Sequence, residues 1–321
     1  MSKKNYLGIL AFAMFAMAGA GFVACGGDGD DDEAERENNG SSTAGLLDHD
    51  FSTRIKSAGD YRFFYNGNGQ VDYIVDGDTR YDFSYRPNKI VQSYKDVEQA
   101  VYSVTYNGYG FITRLDVEEV YEDNGKVEVS GSSLFEYSNT GHLLSVNSSA
   151  VLKLNGETIN VTNTATLTWQ NNRLTSAVWE TIEKDEKGTT MDGEAYNYTI
   201  DLQASDCTNW HHQHAPSISA AYGGGGASEA LAFVKLFGYG PQYLPVSCTE
   251  IMTYKGSTSE HKTWQFSYGL NDDRSLSYCT VDNKRWNYGY EHLATDTRAE
   301  TSENATQGRR HFRMFRTVHS R

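Results

Sequence analysis

Apolar and polar residues alternate with a period of two through most of the chain, and the alternation is interrupted at regular places. Residues 111–122, FITRLDVEEVYE, show it well. Phe111, Thr113, Leu115, Val117 and Tyr121 share one side; Arg114, Asp116, Glu118 and Glu122 share the other, with a break at Glu119–Val120. Successive side chains of a strand point to opposite faces, so the segment reads as a strand with one buried and one wet surface. Just before it stand an aromatic, three residues, a glycine, one residue and an aliphatic: Tyr106–Gly110–Ile112. The same spacing returns as Tyr137–Gly141–Leu143 and Tyr65–Gly69–Val71. Shorter forms occur at Tyr85–Asn88–Ile90 and Trp169–Asn172–Leu174, and a looser one runs from Tyr268 to Leu276. Each predicts strand, tight turn, strand. Glycine takes positive φ without a Cβ clash and asparagine is the next-best residue there. The aromatic and the aliphatic should face each other across the hairpin.

The first five units start at 65, 85, 106, 137 and 169, so each interval must hold a strand out, a turn and a strand back. The opposite turns fall at Asp76–Asp78, Asp123–Gly125, Asn155–Gly156 and Lys184–Gly188. Consecutive hairpins of this kind make an up-and-down antiparallel meander. Residues 203–245 depart from the pattern with a Cys207–His214 cluster, the run Gly223–Gly226 and SEALAFVKLFGYG. The last of these predicts a short helix, capped by Ser228, stopped at Gly238 and apolar nearly all round, hence buried. Three or four strands follow. The expected fold is all-β, a meander of about 14 antiparallel strands; that many strands must close or hide their edges, and closure at this number leaves a lumen unless something fills it. The helix is the candidate plug.

Charge and composition add an address. Lys3 and Lys4 precede an apolar run, Leu7–Val23, that ends at Phe22-Val23-Ala24-Cys25. This resembles a bacterial lipoprotein leader (residues 1–24) with Cys25 as the lipidated residue, although Phe22 replaces the usual leucine. Residues 25–50 begin with an acidic run that cannot bury a core and reads as a disordered tether. Acid directly after the lipid cysteine resembles the signal that sends some lipoproteins to the outer face of the outer membrane. The net charge of −14 becomes −16 once Lys3 and Lys4 are removed, which disfavours nucleic acid and anionic lipid as partners. Residues 51–291 form the barrel domain, and 292–321, with six arginines, read as a basic disordered tail. An anchored chain needs a water-soluble body, so a soluble barrel with an apolar interior, closed or partly open, is expected rather than a membrane pore.

With these parts in place, the Tyr–turn–Gly units resemble the YD or RHS repeats of secreted bacterial proteins. The order of leader, acidic spacer, hairpin ladder and late LFGYGPQYLPVS (Leu236–Ser247) resembles a family of surface lipoproteins with a domain of unknown function and a porin-like fold. The resemblance covers roughly residues 50–291. It implies a fold and an envelope location, and brings no catalytic residue.

The one local grouping of metal-ligand types is Cys207, His211, His212 and His214. Adjacent side chains on an extended chain diverge, so His212 and His214 could share an ion but His211 could not easily join. A structural zinc site wants four ligands, and the expectation is a polar His-rich loop with no metal and no cofactor. Trp210, His212 and His214 are the candidate ligand-binding residues. Gly223–Gly226 lacks the Lys-Ser/Thr of a phosphate loop, and Glu118 and Glu119 point to opposite faces, so no catalytic residue is assigned. Cys207, Cys248 and Cys279 allow one bridge at most; Cys207–Cys248 would staple the ends of the irregular insert. The function implied is a non-enzymatic, surface-exposed outer-membrane lipoprotein that binds a glycan or an envelope protein. The alternatives are a scaffold component of the surface and a hydrolase acting at residues 207–214.

Overall fold

The computed structural model describes residues 53–122, 126–154, 156–209, 215, 227–239, 241–254 and 257–292. Sixteen strands follow one another: β1 (Thr53–Ala58), β2 (Tyr61–Tyr65), β3 (Val71–Asp76), β4 (Thr79–Tyr85), β5 (Asn88–Tyr94), β6 (Val97–Tyr106), β7 (Ile112–Glu122), β8 (Lys126–Tyr137), β9 (Leu143–Leu154), β10 (Glu157–Gln170), β11 (Arg173–Asp185), β12 (Thr190–Thr208), β13 (Tyr243–Tyr254), β14 (Ser257–Leu270), β15 (Leu276–Val281) and β16 (Lys284–His292). A seven-residue helix, α1 (Ala227–Phe233), lies between β12 and β13. Each strand pairs antiparallel with its predecessor and β16 returns to β1, closing a barrel. The thinnest seam is β1–β2, paired only at Ser57–Arg62 and Ala58–Tyr61.

The repeated unit explains how the hairpins form and how they join. Tyr65 lies opposite Val71, Tyr106 opposite Ile112, Tyr137 opposite Leu143 and Trp169 opposite Leu174, and at each of these aromatics the register shifts by a bulge. The bulge lets the post-turn aliphatic and the residue three further on both face inward: Ile112 with Leu115, Leu143 with Val146, Leu174 with Ala177 are all buried. It also tightens the local twist. The residue after the aromatic builds the turn. Asn107 Oδ1 accepts from the Tyr109 and Phe111 amides, and Asn66 does the same for Asn68 and Gln70. The aromatic then fastens its hairpin to the one before. Tyr85 OH donates to Val71 O at 2.9 Å, Tyr137 OH to Ile112 O at 2.6 Å and Trp169 Nε1 to Leu143 O at 2.8 Å. Tyrosine suits this place because its ring packs while its polar tip finds a partner.

Inward positions are mainly apolar and outward ones mainly polar, with Phe64, Leu134, Leu144, Val178 and Val246 left exposed on the outside. On β10, Ile159, Val161, Ala165 and Leu167 are buried, whereas Thr162, Thr164, Thr166 and Thr168 are exposed. That is the arrangement of a barrel bathed in water, opposite to one that faces lipid. The main core gathers at the end that carries the Gly110 and Gly141 turns, and α1 fills it. Phe233 packs edge-on against Phe63 at 5.8 Å and against Tyr61 and Tyr288 on β2 and β16, while Phe237 meets Phe135 on β8 at 5.1 Å. The plug therefore touches separate parts of the wall. Farther along β8–β11 a polar row crosses the interior, with Ser148 donating to Ser133 and Thr181 to Asn163. Beyond it lies a second apolar cluster of Val129, Ala150, Leu152, Ile159 and Val161.

Three expectations change. Sixteen strands replace about 14: a turn at Gly59–Asp60 sets off β1, and all four strands after α1 form, while the Lys95–Asp96 turn, in an interval already expected to hold two strands, has φ of 49° and 62° without glycine or asparagine. β12 runs on to Thr208, into the stretch expected to be irregular. Ser228 lies inside α1, and the helix ends at Phe233, well before Gly238: Lys235, two residues past the end, takes φ 60°, with Leu236 N donating to Leu231 O and Lys235 N to Ala232 O. This is a Schellman end with lysine in the place glycine usually takes. Replacing Tyr137 with Phe keeps the ring but orphans the Ile112 carbonyl; a loss of about 1–2 kcal/mol in chemical denaturation is expected, and no loss would mean the inter-hairpin bond contributes nothing.

Candidate functional site

After α1 the chain crosses the glycine-turn end of the barrel as a strap, touching three successive hairpin ends. Ile112 N donates to Leu236 O at 2.8 Å, Tyr239 N to Gly141 O at 2.8 Å, and Gln242 N to Asn172 O at 2.7 Å. The contacts recur every three residues, the pace of an extended chain stepping from one hairpin to the next. Two glycines make the approach close enough. A Cβ on Gly238 would fall 2.5 Å from Gly141 O and 2.8 Å from Tyr137 Cε1, and Gly238 holds φ of 88°. A Cβ on Gly141 would meet the Tyr239 ring at 2.5 Å. The Gly141 of the repeat thus serves twice, for its turn and for the strap.

His142 sits under the strap, 4% exposed. Its ring stacks on Trp169 with centroids 4.3 Å apart and 12° between planes. Nδ1 lies 3.0 Å from the Tyr239 carbonyl and Nε2 3.3 Å from Asn172 Oδ1. Both facing oxygens only accept, so the neutral ring donates to one of them and only the protonated ring donates to both. Burial pushes the imidazole below its ordinary pKa, and the hydrogen bond to Asn172 opposes the shift.

On the outer side of the same turns stands Tyr109, 52% exposed, its ring stacked on Phe111 at 6.0 Å and 24°. Phe111 is held in turn by Tyr239, edge-on at 5.1 Å, and by Tyr137 at 5.3 Å. The neighbouring tips read Asn107-Gly108-Tyr109-Gly110, Ser138-Asn139-Thr140-Gly141 and Gln170-Asn171-Asn172, without a charged residue. At the opposite end every described turn carries or borders a carboxylate: Asp60, Asp76 and Asp78, Asp96, Glu157, Glu186 and Asp282. The three tips beside the strap are uncharged, amide-rich and aromatic, whereas the β14–β15 turn at the same end carries Asp272, Asp273 and Arg274.

The residues that sequence reasoning singled out fall elsewhere. Cys25, Trp210, His211, His212 and His214 lie outside the described residues. The neighbouring Asn209 is buried and donates its amide to Gln242 O at 2.9 Å, so the insert returns to the wall beside the strap. Cys207 and Cys248 stand as thiols on β12 and β13, Cys248 opposite Leu202 in the ladder, and Cys279 is a thiol on β15. Burial raises the Cys207 pKa. Among the described residues no three His, Cys, Asp or Glu side chains converge on a common point. Reading the sequence missed His142, the strap and Tyr109. A usable signal existed for the first two, since Gly141-His142 and Leu236–Gln242 are both dense in turn glycine and aromatic residues, but their contact joins residues 97 apart.

No family model matches the chain, and no curated protein matches it in sequence. Solved structures that resemble it include two porin-like proteins. One is a porin-like protein from Bacteroides vulgatus ATCC 8482, at 10% identity and a TM-score of 0.44, covering 74% of this chain and 99% of that one. The other is a porin-like protein from Bacteroides uniformis ATCC 8492, at 15% identity and a TM-score of 0.43, covering 72% and 90%. At this level of likeness no residue role passes between them. The resemblance to YD or RHS repeats and to surface lipoproteins rests on the sequence alone.

Two outcomes are expected at the cap. Gly238→Ala should unseat the strap, seen as faster amide exchange at Ile112 and Tyr239 while the β8–β11 amides stay protected; unchanged exchange would refute the close approach. Acid should loosen the same contacts. His142 binds its proton less readily under the strap than in an open state near the ordinary value of about 6.5. Stability from the neutral ring is therefore whole above that value and declines as pH falls from it toward the lower folded pKa. Comparing strap exchange at pH 7.5 and pH 5, after correction for intrinsic rates, should show this slope in the native chain and not in His142→Gln. Equal slopes would clear His142 of the effect.

Proposed function

We propose that the chain is a lipid-anchored protein of the outer membrane, exposed at the cell surface, whose filled barrel recognises a glycan or an envelope protein on its outside. The observation that carries this reading is the filling of the interior. Phe233 and Phe237 bring the plug against β2, β16 and β8, and the strap is bonded across the end. Each fully buried aromatic or leucine of this kind contributes about 1.5–3 kcal/mol, so opening a path through the plugged end would be costly. Recognition then falls to the outer wall and the turn tips, where connecting segments usually carry function.

The anchoring half rests on sequence. Lys3 and Lys4, the apolar run Leu7–Val23 and Cys25 have the order of a lipoprotein leader, and the acidic run after Cys25 supports export to the surface. The polar outer faces of the strands agree with a body held in water on a tether. In cells fed a labelled fatty acid, the native chain should take up label and sediment with membranes, and Cys25→Ala should do neither. Retention of the purified chain on isolated envelope fragments should accompany this. Stepwise ion conductance in a planar bilayer, or labelling that survives Cys25→Ala, would sink the reading.

A further inference from the structure

Building on the reading that the chain recognises an envelope partner, we propose that the capped end is a binding site for a neutral carbohydrate. Tyr109 is its stacking platform, and the amide and hydroxyl side chains of the adjoining tips, Asn139, Thr140, Gln170 and Asn171, are its hydrogen-bonding partners. The face of an aromatic ring is electron-rich and its edge is not, so it receives the weakly positive C–H face of a sugar ring. Tyr109 is open over more than half its surface, yet it is not loose. Phe111 supports it, and Phe111 is gripped by Tyr137 and by Tyr239 of the strap. A large ring fixed in advance loses little conformational entropy on binding.

The charge pattern selects the class of sugar. Carboxylates stand at every described turn of the opposite end, while the three tips beside the strap have none and offer Asn, Gln, Ser and Thr instead. Amides and hydroxyls match the paired donor and acceptor character of sugar hydroxyls without charge. Arg173, which borders the Gln170–Asn172 tip, has its guanidinium 4.2 Å above the Tyr243 ring, engaged there, and Arg86 and Arg274 stand on other turns of the same end. An acidic sugar would find no cationic fork presented at the three tips beside the strap. The tips belong to successive hairpins, so they recur at two strand spacings, about 10 Å, a span that a short oligosaccharide can bridge. The strap holds them in line through Leu236, Tyr239 and Gln242.

The test uses the full chain on immobilised neutral oligosaccharides (glucan, mannan and galactan fragments) and on uronate- and sulfate-bearing counterparts. The native protein should bind members of the neutral series. Tyr109→Ala should weaken binding by roughly 10-fold or more, as truncating an aromatic anchor does. Tyr109→Phe should hold its affinity, Asn171→Ala should lose a smaller part, and Asp96→Asn at the far end should change nothing. Neutral-sugar binding that is indifferent to both Tyr109→Ala and Asn171→Ala overturns the site and leaves the envelope-binding reading standing. So does preference for the acidic series, or retention on envelope fragments without binding to any sugar. Failure to bind envelope fragments at all brings both down.

Discussion

A closed wall of sixteen strands encloses more space than its own inward side chains can fill, and that shortfall governs the rest of this protein. Barrels of about eight strands are packed by their walls, whereas sixteen leave a channel unless other material enters. Here the material is α1 and the strap, cut from the one long connection in the meander. Phe233 and Phe237 bridge the gap between β2, β16 and β8. Farther along, the long β8–β11 wall meets the same need with a hydroxyl and amide row backed by a second apolar cluster. The polar groups in that row bond one another across strands, as buried polar groups must.

Plug and wall are joined by the same residues that make the hairpins. Tyr137 closes its own bulge, bonds back to Ile112, and supports both Phe111 and the close pass of Gly238. Gly141 makes its turn and leaves room for Tyr239. A change at either position would therefore act on hairpin, seam and cap together, and such sites are not expected to behave additively. This economy also explains why aromatics concentrate at the turn ends: each must span two hairpins while keeping a polar atom bonded.

The cap has a consequence for recognition. Filling the interior occupies the lumen at that end, and among the described residues the turn tips are its exposed surface. The three tips beside the strap are uncharged although the chain carries a net charge of −14, while carboxylates stand at every described far turn and on the β14–β15 turn of the same end. The strap side of the capped end keeps an uncharged face with a supported tyrosine.

The period-two pattern and the Tyr-x3-Gly-x-aliphatic spacing determined the antiparallel meander, the facing of Tyr106 with Ile112 and of Tyr137 with Leu143, and the apolar helix as plug. These are local or next-neighbour properties, carried by residues within one hairpin, so a single sequence discloses them. Lys95–Asp96 escaped because its positive φ is imposed by the strands it joins rather than favoured by its own side chains. Closure of β16 on β1, the turn out of the helix at Lys235, and the meeting of Gly238 with Gly141 or of Tyr239 with His142 were decided by tertiary structure alone. They depend on how many strands the wall accumulates and where its circumference returns, and no stretch of chain contains that information by itself.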